Sequence, residues 1–229
     1  MNKQLLERFI KYVKIDTESV PDVEQYPSSE KQKDLLKLLL KELQELGIQA
    51  RMDGKYGYVY AEIPANTKSK YALGFIAHVD TSSAVSGKDV KPIVTEHYDG
   101  GDIALAEGRV LSPKDYHELG EKTGKTIITS DGTTLLGADD KAGVAAIMQL
   151  AETIVTHPEI KHGTIKSPLL PTRKWAEAQI SSTSRGLAQT VRTLLTAVAQ
   201  ESWNTRTSTQ LLLKLRLTAF LCIPGWLRV

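Results

Sequence analysis

Two short segments of this sequence carry side chains that could bind a metal ion. The first is Ala77-His78-Val79-Asp80-Thr81. A neutral imidazole is a good zinc ligand, and a nearby carboxylate can fix its tautomer and raise its basicity. In an extended strand His78 and Asp80 point to the same face. Alone, this pattern leaves an alternative open, because a histidine near a strand end is often a hydrogen-bonded structural group.

The second segment is Leu136-Gly137-Ala138-Asp139-Asp140-Lys141-Ala142-Gly143. Aspartate is among the best residues for capping the start of a helix, where it also favours the positive end of the helix dipole. One aspartate is enough for that role. A carboxylate on a loop beside a histidine-bearing strand end could instead bridge metal ions, so both capping and metal binding remain open for this pair.

The elements that must position these segments are a strand and a helix. Residues 71–79 form a nearly continuous apolar run, which predicts a strand buried on both faces. In α/β folds the sites lie at the carboxyl ends of such strands. A helix is predicted over 141–156, and its apolar face consists of Val144, Ile147, Met148, Leu150, Ala151 and Ile154.

The rest of the first 166 residues alternates between helical and strand patterns. We expect an amphipathic helix near the start, a second helix capped by Ser28-Ser29-Glu30 and ended by Gly47, and strands at 58–63 and 126–129. Residues 162–166 read as the first half of a strand that is cut short. This alternation predicts an α/β domain.

Composition sets the broad class. The chain has 229 residues, 41% of them hydrophobic, a formal net charge of +2 and one cysteine. A single cysteine excludes an internal disulfide framework and fits a reducing compartment. No segment has the apolar length of a signal peptide or a membrane span. We therefore expect a cytoplasmic protein without a membrane or nucleic-acid partner; the composition does not indicate an oligomeric state.

Several segments together resemble a known family. They are residues 75–81, 98–105, Leu111-Ser112-Pro113 and residues 134–143. They are similar to the tripeptide aminopeptidases of the dinuclear-zinc amino/carboxypeptidase family, and the resemblance covers essentially all of residues 1–166. It implies the amino-terminal part of a zinc-dependent exopeptidase catalytic domain, with a mixed sheet flanked by helices. It also implies a cytoplasmic enzyme that releases the N-terminal residue of tripeptides with two zinc ions.

The resemblance also implies roles for three residues. His78 is a ligand to one zinc ion, Asp80 is a catalytic carboxylate that orients His78, and Asp139 bridges both ions. The family further needs a P-D-E-E strand, a T-V-D-G motif, a lid domain and a final histidine ligand. Here Arg173 and Lys174 stand where the glutamate pair is expected, and Thr196 stands where a ligand aspartate is expected. Because two cations repel zinc, we expect this chain to be inactive.

The composition changes abruptly after Lys166. Residues 1–166 hold 25 acidic and 21 basic side chains, which gives a formal charge of −4. Residues 167–229 hold 2 acidic and 8 basic side chains, which gives a formal charge of +6. Such a change can mark a real basic domain or a nucleic-acid-binding tail. The resemblance favours a partial catalytic domain over 1–166, with the lid and the carboxyl-terminal part missing, followed by an off-frame tail.

Codon arithmetic supports the off-frame interpretation. Codons can be chosen for residues 171–174 so that the neighbouring frame reads P-D-E-E, with its glutamates at positions 173 and 174. The same frame converts the residues around Thr196 into T-V-D-G-G, and Cys222-Ile223-Pro224-Gly225 into V-H-P-G. Three family motifs thus return at their expected positions. The hypothesis predicts that the tail packs poorly and exposes Trp175, Trp203 or Trp226.

Overall fold

The structure, a computed structural model, describes residues 3–69 and 72–172 and the backbone of residues 191–196. Four helices lie in these ranges, together with a short 3-10 turn at Ala106–Gly108 and nine strands. The helices are α1 Lys3–Val13, α2 Gln32–Glu45, α3 His117–Gly120 and α4 Ala138–Thr156. The strands are β1 Gln49–Met52, β2 Val59–Ile63, β3 Ala72–His78, β4 Ile93–Thr95, β5 Ile103–Ala104, β6 Val110–Leu111, β7 Ile127–Thr129, β8 Thr164–Leu170 and β9 Val191–Thr196.

The main sheet of the described residues has five strands in the order β1-β2-β8-β3-β9. Strand β2 is antiparallel to both β1 and β8, whereas β3 is parallel to β8 and β9. The predicted α/β fold with a mixed sheet and helices is therefore confirmed. Strands β4 and β7, and strands β5 and β6, form two small antiparallel pairs in the connection between β3 and α4.

Helices α1, α2 and α4 share one apolar core with one face of the sheet. Leu39 of α2, Met148 of α4 and Leu169 of β8 are fully shielded from solvent, and Phe75 and Ala77 of β3 pack in the same cluster. Each such side chain contributes roughly 1.5–3 kcal/mol by leaving water. Because α4 packs directly on β3, the carboxyl end of this strand and the start of the helix are held side by side.

Helix α2 begins differently from the prediction. It starts at Gln32, and Lys31, the residue before it, makes no capping hydrogen bond through its side chain. The predicted cap over Ser28-Ser29-Glu30 is therefore wrong. The Ser28 hydroxyl instead accepts hydrogen bonds from the Val20 amide and the Gln32 side chain. The predicted end is confirmed, because Gly47 follows the helix with a φ of +74°, where glycine avoids the steric cost of a side chain.

Strand β8 continues past Lys166, so the expectation of a strand cut short there is wrong. It runs to Leu170, and the Ser167 hydroxyl donates a hydrogen bond of 3.0 Å to the Phe75 carbonyl of β3. The division of the chain at residue 166 stays a prediction. The expectation that the residues after Lys166 pack poorly is wrong for those that the structure describes, because Ser167, Leu169, Leu170 and Thr172 are buried and β9 pairs with β3. The tryptophans at 175, 203 and 226, and residues 173 and 174, lie outside the described residues.

None of the helices in the described ranges combines the length and the apolar character that a membrane span requires.

Candidate metal centre

His78 is the last residue of β3, at the carboxyl end of the strand that lies between β8 and β9. Its Nδ1 atom lies 2.8 Å from Oδ1 of Asp80, and both side chains are largely buried, with exposed fractions of 12% and 11%. Strand alternation places the two side chains on the same face, as predicted. When Nδ1–H donates to Asp80, Nε2 is the ring nitrogen that a cation would bind once its proton is lost.

Asp139 reaches His78 from the start of α4. Its Oδ1 atom lies 3.2 Å from Nε2 of His78, and 42% of its side chain is exposed. The backbone of Asp139 and Asp140 is not helical, and the peptide bond between them is cis. Gly137 precedes them with a φ of +75°. This turn directs the Asp139 carboxylate away from the helix axis and toward the strand end.

Asp140 has different surroundings from its neighbour. It is 2% exposed, and burial raises the pKa of its carboxyl group, whereas the backbone of His78 and of Gly143 lowers this pKa. Of the two aspartates, Asp139 faces the histidine and Asp140 is buried. The capping role raised for this pair stays a prediction.

The charges of this group of side chains are coupled. Burial lowers the pKa of His78, but the hydrogen bonds with Asp139 and Asp80 outweigh burial and raise this pKa to about 10. Burial raises the pKa of Asp140 to about 7; a charge on His78 acts against this shift and the Asp139 carboxylate adds to it. The Oδ1 atom of Asp140 is buried and has no hydrogen-bond partner among the described residues.

The predicted ligands fit a metal ion as a pair. A tetrahedral zinc ion with ligand bonds of about 2.0–2.2 Å places neighbouring ligand atoms about 3.4 Å apart, and Nε2 of His78 and Oδ1 of Asp139 are 3.2 Å apart. A zinc site needs three or four protein ligands. Within residues 3–69 and 72–172, no three His, Cys, Asp or Glu side chains are grouped so that they could hold an ion. The described residues therefore bring together two side chains of the types that bind zinc, and their role as ligands stays a prediction.

Two buried polar residues beside this pair were not singled out from the sequence. Thr17 is fully buried and bonds to the backbone next to His78, and Lys141 is 1% exposed below the Asp139 turn. Lys141 belongs to the segment already noted, but neither its burial nor its partner leaves a signal in the sequence. Thr17 lies in a polar stretch after α1, where nothing in the residue pattern distinguishes it.

The α/β fold with its mixed sheet is shared with a solved structure. The crystal structure of human carnosine dipeptidase 1 has a TM-score of 0.50 to it at 15% identity, covering 84% of this chain and 37% of that one, which shows a shared fold. The crystal structure of aminopeptidase PepT from Bacillus cereus gives a TM-score of 0.49 at 25% identity, covering 73% and 35% of the two chains. No protein-family model matches the sequence.

Relatives found by sequence give a more specific similarity than the shared fold does. Peptidase T of Geobacillus thermodenitrificans is 48% identical over 174 residues, which are 75% of this chain and 42% of the relative. This chain is thus a homologue of peptidase T over three quarters of its own length, and the family resemblance is confirmed. It spans about two fifths of the length of the curated relatives that it matches.

Proposed function

We propose that this chain carries part of the active site of a zinc-dependent tripeptide aminopeptidase. The observation that carries this proposal is the position of His78, which contacts Asp80 through Nδ1 and faces Asp139 through Nε2. The homology to peptidase T supports the reaction class. The intact site would hold two zinc ions and a short peptide, and the protein would work in the cytoplasm.

Each of the three side chains has a distinct role in this proposal. His78 and Asp139 would be zinc ligands, and Asp80 would hold the imidazole in the tautomer that exposes Nε2. The exposed part of the Asp139 carboxylate would let it bridge a second ion. Zinc, when bound, polarises the scissile carbonyl and lowers the pKa of a bound water.

The chain as written should nevertheless be inactive. The family's general base and remaining ligands have no counterpart at the expected positions, which hold Arg173, Lys174 and Thr196. Loss of a general base alone costs about 10²–10⁴-fold in rate. The alternative, that this chain is a non-catalytic product of a shifted reading frame, is compatible with the proposal. The alternative concerns this chain, whereas the peptidase activity concerns the protein from which the chain would derive.

The test begins with the nucleotide sequence around codon 166 and compares two purified proteins. One is the chain as written, and the other is made after one nucleotide is inserted or deleted so that P-D-E-E is restored and translation continues. Release of the N-terminal residue from a tripeptide is measured with and without a chelator. We expect chelator-sensitive activity only in the restored protein, and its loss when His78→Ala is introduced there.

Two outcomes would contradict the proposal. Activity in the uncorrected chain would show that the assignment of missing ligands is mistaken. A restored protein that folds but has no metal-dependent peptidase activity would show that the assigned reaction is wrong.

A further inference from the structure

Residues 15–19, which we call the backing strap, run beside the backbone that follows His78. The Thr81 amide donates to the Thr17 carbonyl at 3.2 Å, and the Ser19 amide donates to the Thr81 carbonyl at 2.9 Å. The Thr17 hydroxyl donates to the Val79 carbonyl at 2.6 Å, and Thr17 is fully buried. The position of residues 79–81, and with them Asp80, therefore depends on the strap.

Lys141 joins this strap to the turn that carries Asp139. It lies two residues after Asp139, is 1% exposed, and donates from Nζ to the Ile15 carbonyl at 2.7 Å. Ile15 is the first residue of the strap. One side chain therefore connects the start of α4 to the segment that supports the strand end, across 126 positions of sequence.

The space around this lysine is tightly filled. A Cβ added at Gly137 would lie 3.0 Å from Cγ2 of Thr81 and 3.8 Å from Cδ and Nζ of Lys141. Burial of an ammonium group with few hydrogen bonds is costly, and an apolar side chain of similar length would fill the same space without that cost. The one hydrogen bond that Lys141 makes among the described residues goes to the Ile15 carbonyl of the strap. This indicates that the charged side chain links the start of α4 to the strap.

We propose that Lys141 is a positioning residue: its bond to the Ile15 carbonyl fixes the backing strap against residues 79–81 and so sets the separation of His78 and Asp139. The effect on metal binding rests on the proposed function. The effect on the strap does not, because it concerns hydrogen bonds within the protein itself.

The test uses the full chain and amide hydrogen exchange in the absence of metal. Lys141→Met keeps the length of the side chain and removes the ammonium. We expect exchange at the Thr81 and Ser19 amides to accelerate at least about tenfold more than at the Leu39 amide, in the core of α2. Thr17→Val, which removes the strap's hydroxyl bond, should accelerate the same two amides, and it serves as the second variant if Lys141→Met does not fold. Equal acceleration at all three amides, or none, would overturn the proposal.

A cobalt titration separates this proposal from the proposed function. In the protein with the restored reading frame, the parent should bind Co²⁺ with a spectrum that His78→Ala abolishes, Lys141→Met should bind it at least about tenfold more weakly, and Lys33→Met, on the surface of α2, should bind like the parent. Unchanged affinity in Lys141→Met would overturn the positioning role. If the restored parent binds no Co²⁺, the proposed function fails, and the exchange experiment alone decides the role of Lys141.

Discussion

Nε2 of His78 and Oδ1 of Asp139 lie 3.2 Å apart although the two residues come from different elements. His78 ends β3, and Asp139 stands in the turn before the regular part of α4. The packing of α4 on β3 produces this proximity, and the non-helical turn directs the carboxylate toward the ring. Two oppositely charged or metal-ligating groups at this distance form a unit, so a change at either residue should affect the other.

Removal of either member of this unit should weaken metal binding. In the protein with the restored reading frame, His78→Ala and Asp139→Asn should each weaken Zn²⁺ or Co²⁺ binding by at least about 100-fold, because each removes one ligand of the three or four that a zinc site needs. Isothermal titration calorimetry and cobalt absorption spectra measure the effect. His157→Ala is the matched control, because this histidine is exposed at the end of α4 and should leave affinity unchanged. Equal affinity in parent and His78→Ala would place the metal elsewhere.

Replacement of the orienting carboxylate should have a smaller effect. Asp80→Asn keeps the shape of the side chain and removes the charge that holds the Nδ1–H of His78. We expect metal affinity to fall roughly 10–100-fold, the range found when such outer partners of a ligand histidine are removed. A nitrogen NMR titration of the imidazole should also show a lower pKa of His78 in the variant, because Asp80 is one of the groups that raise this pKa. An unchanged pKa together with unchanged affinity would argue against the orienting role.

The turn before Asp139 requires glycine. Gly137 has a φ of +75°, and a Cβ there would lie 3.0 Å from Cγ2 of Thr81. Gly137→Ala should therefore lower the free energy of unfolding by about 1–3 kcal/mol, measured by urea denaturation. Gly54→Ala is the control, because a Cβ at Gly54 would meet nothing within 4 Å, and it should change stability little. A stable Gly137→Ala protein would show that the turn tolerates side chains.

The strap contains one acid whose titration can be followed. Burial raises the pKa of Asp16, but the hydrogen bonds from Lys31 and from the Glu18 amide outweigh it and lower this pKa below its ordinary value. A lowered pKa in the folded state contributes stability above the unfolded value, and that stability is lost as the pH falls through the folded value. Lys31→Met should move the pKa of Asp16 upward in a carboxyl NMR titration and reduce the loss of stability on acidification. An unchanged pKa would exclude the Lys31 contact as its cause.

The main helices and strands could be predicted from local patterns, because burial of one face of an element makes apolar residues recur at its structural period. The continuous apolar run before His78 predicted a strand buried on both faces, and β3 is largely buried along its length. The apolar spacing through Val144 and Met148 predicted α4, and both side chains are fully buried. The start of α2 could not be predicted from Ser28, because its hydroxyl bonds to Val20 and Gln32 in three dimensions instead of capping the helix.

The sequence by itself determined the chemistry that is available: an imidazole and a carboxylate two residues apart at a strand end, and an aspartate pair before a helix. Those features depend on residue type and local period. Only the tertiary structure decided that Asp139 faces His78 while Asp140 is buried, and that Lys141 is buried against Ile15. The reason is that these contacts join β3, α4 and the backing strap, whose relative positions are set by packing of the shared core and not by any one segment.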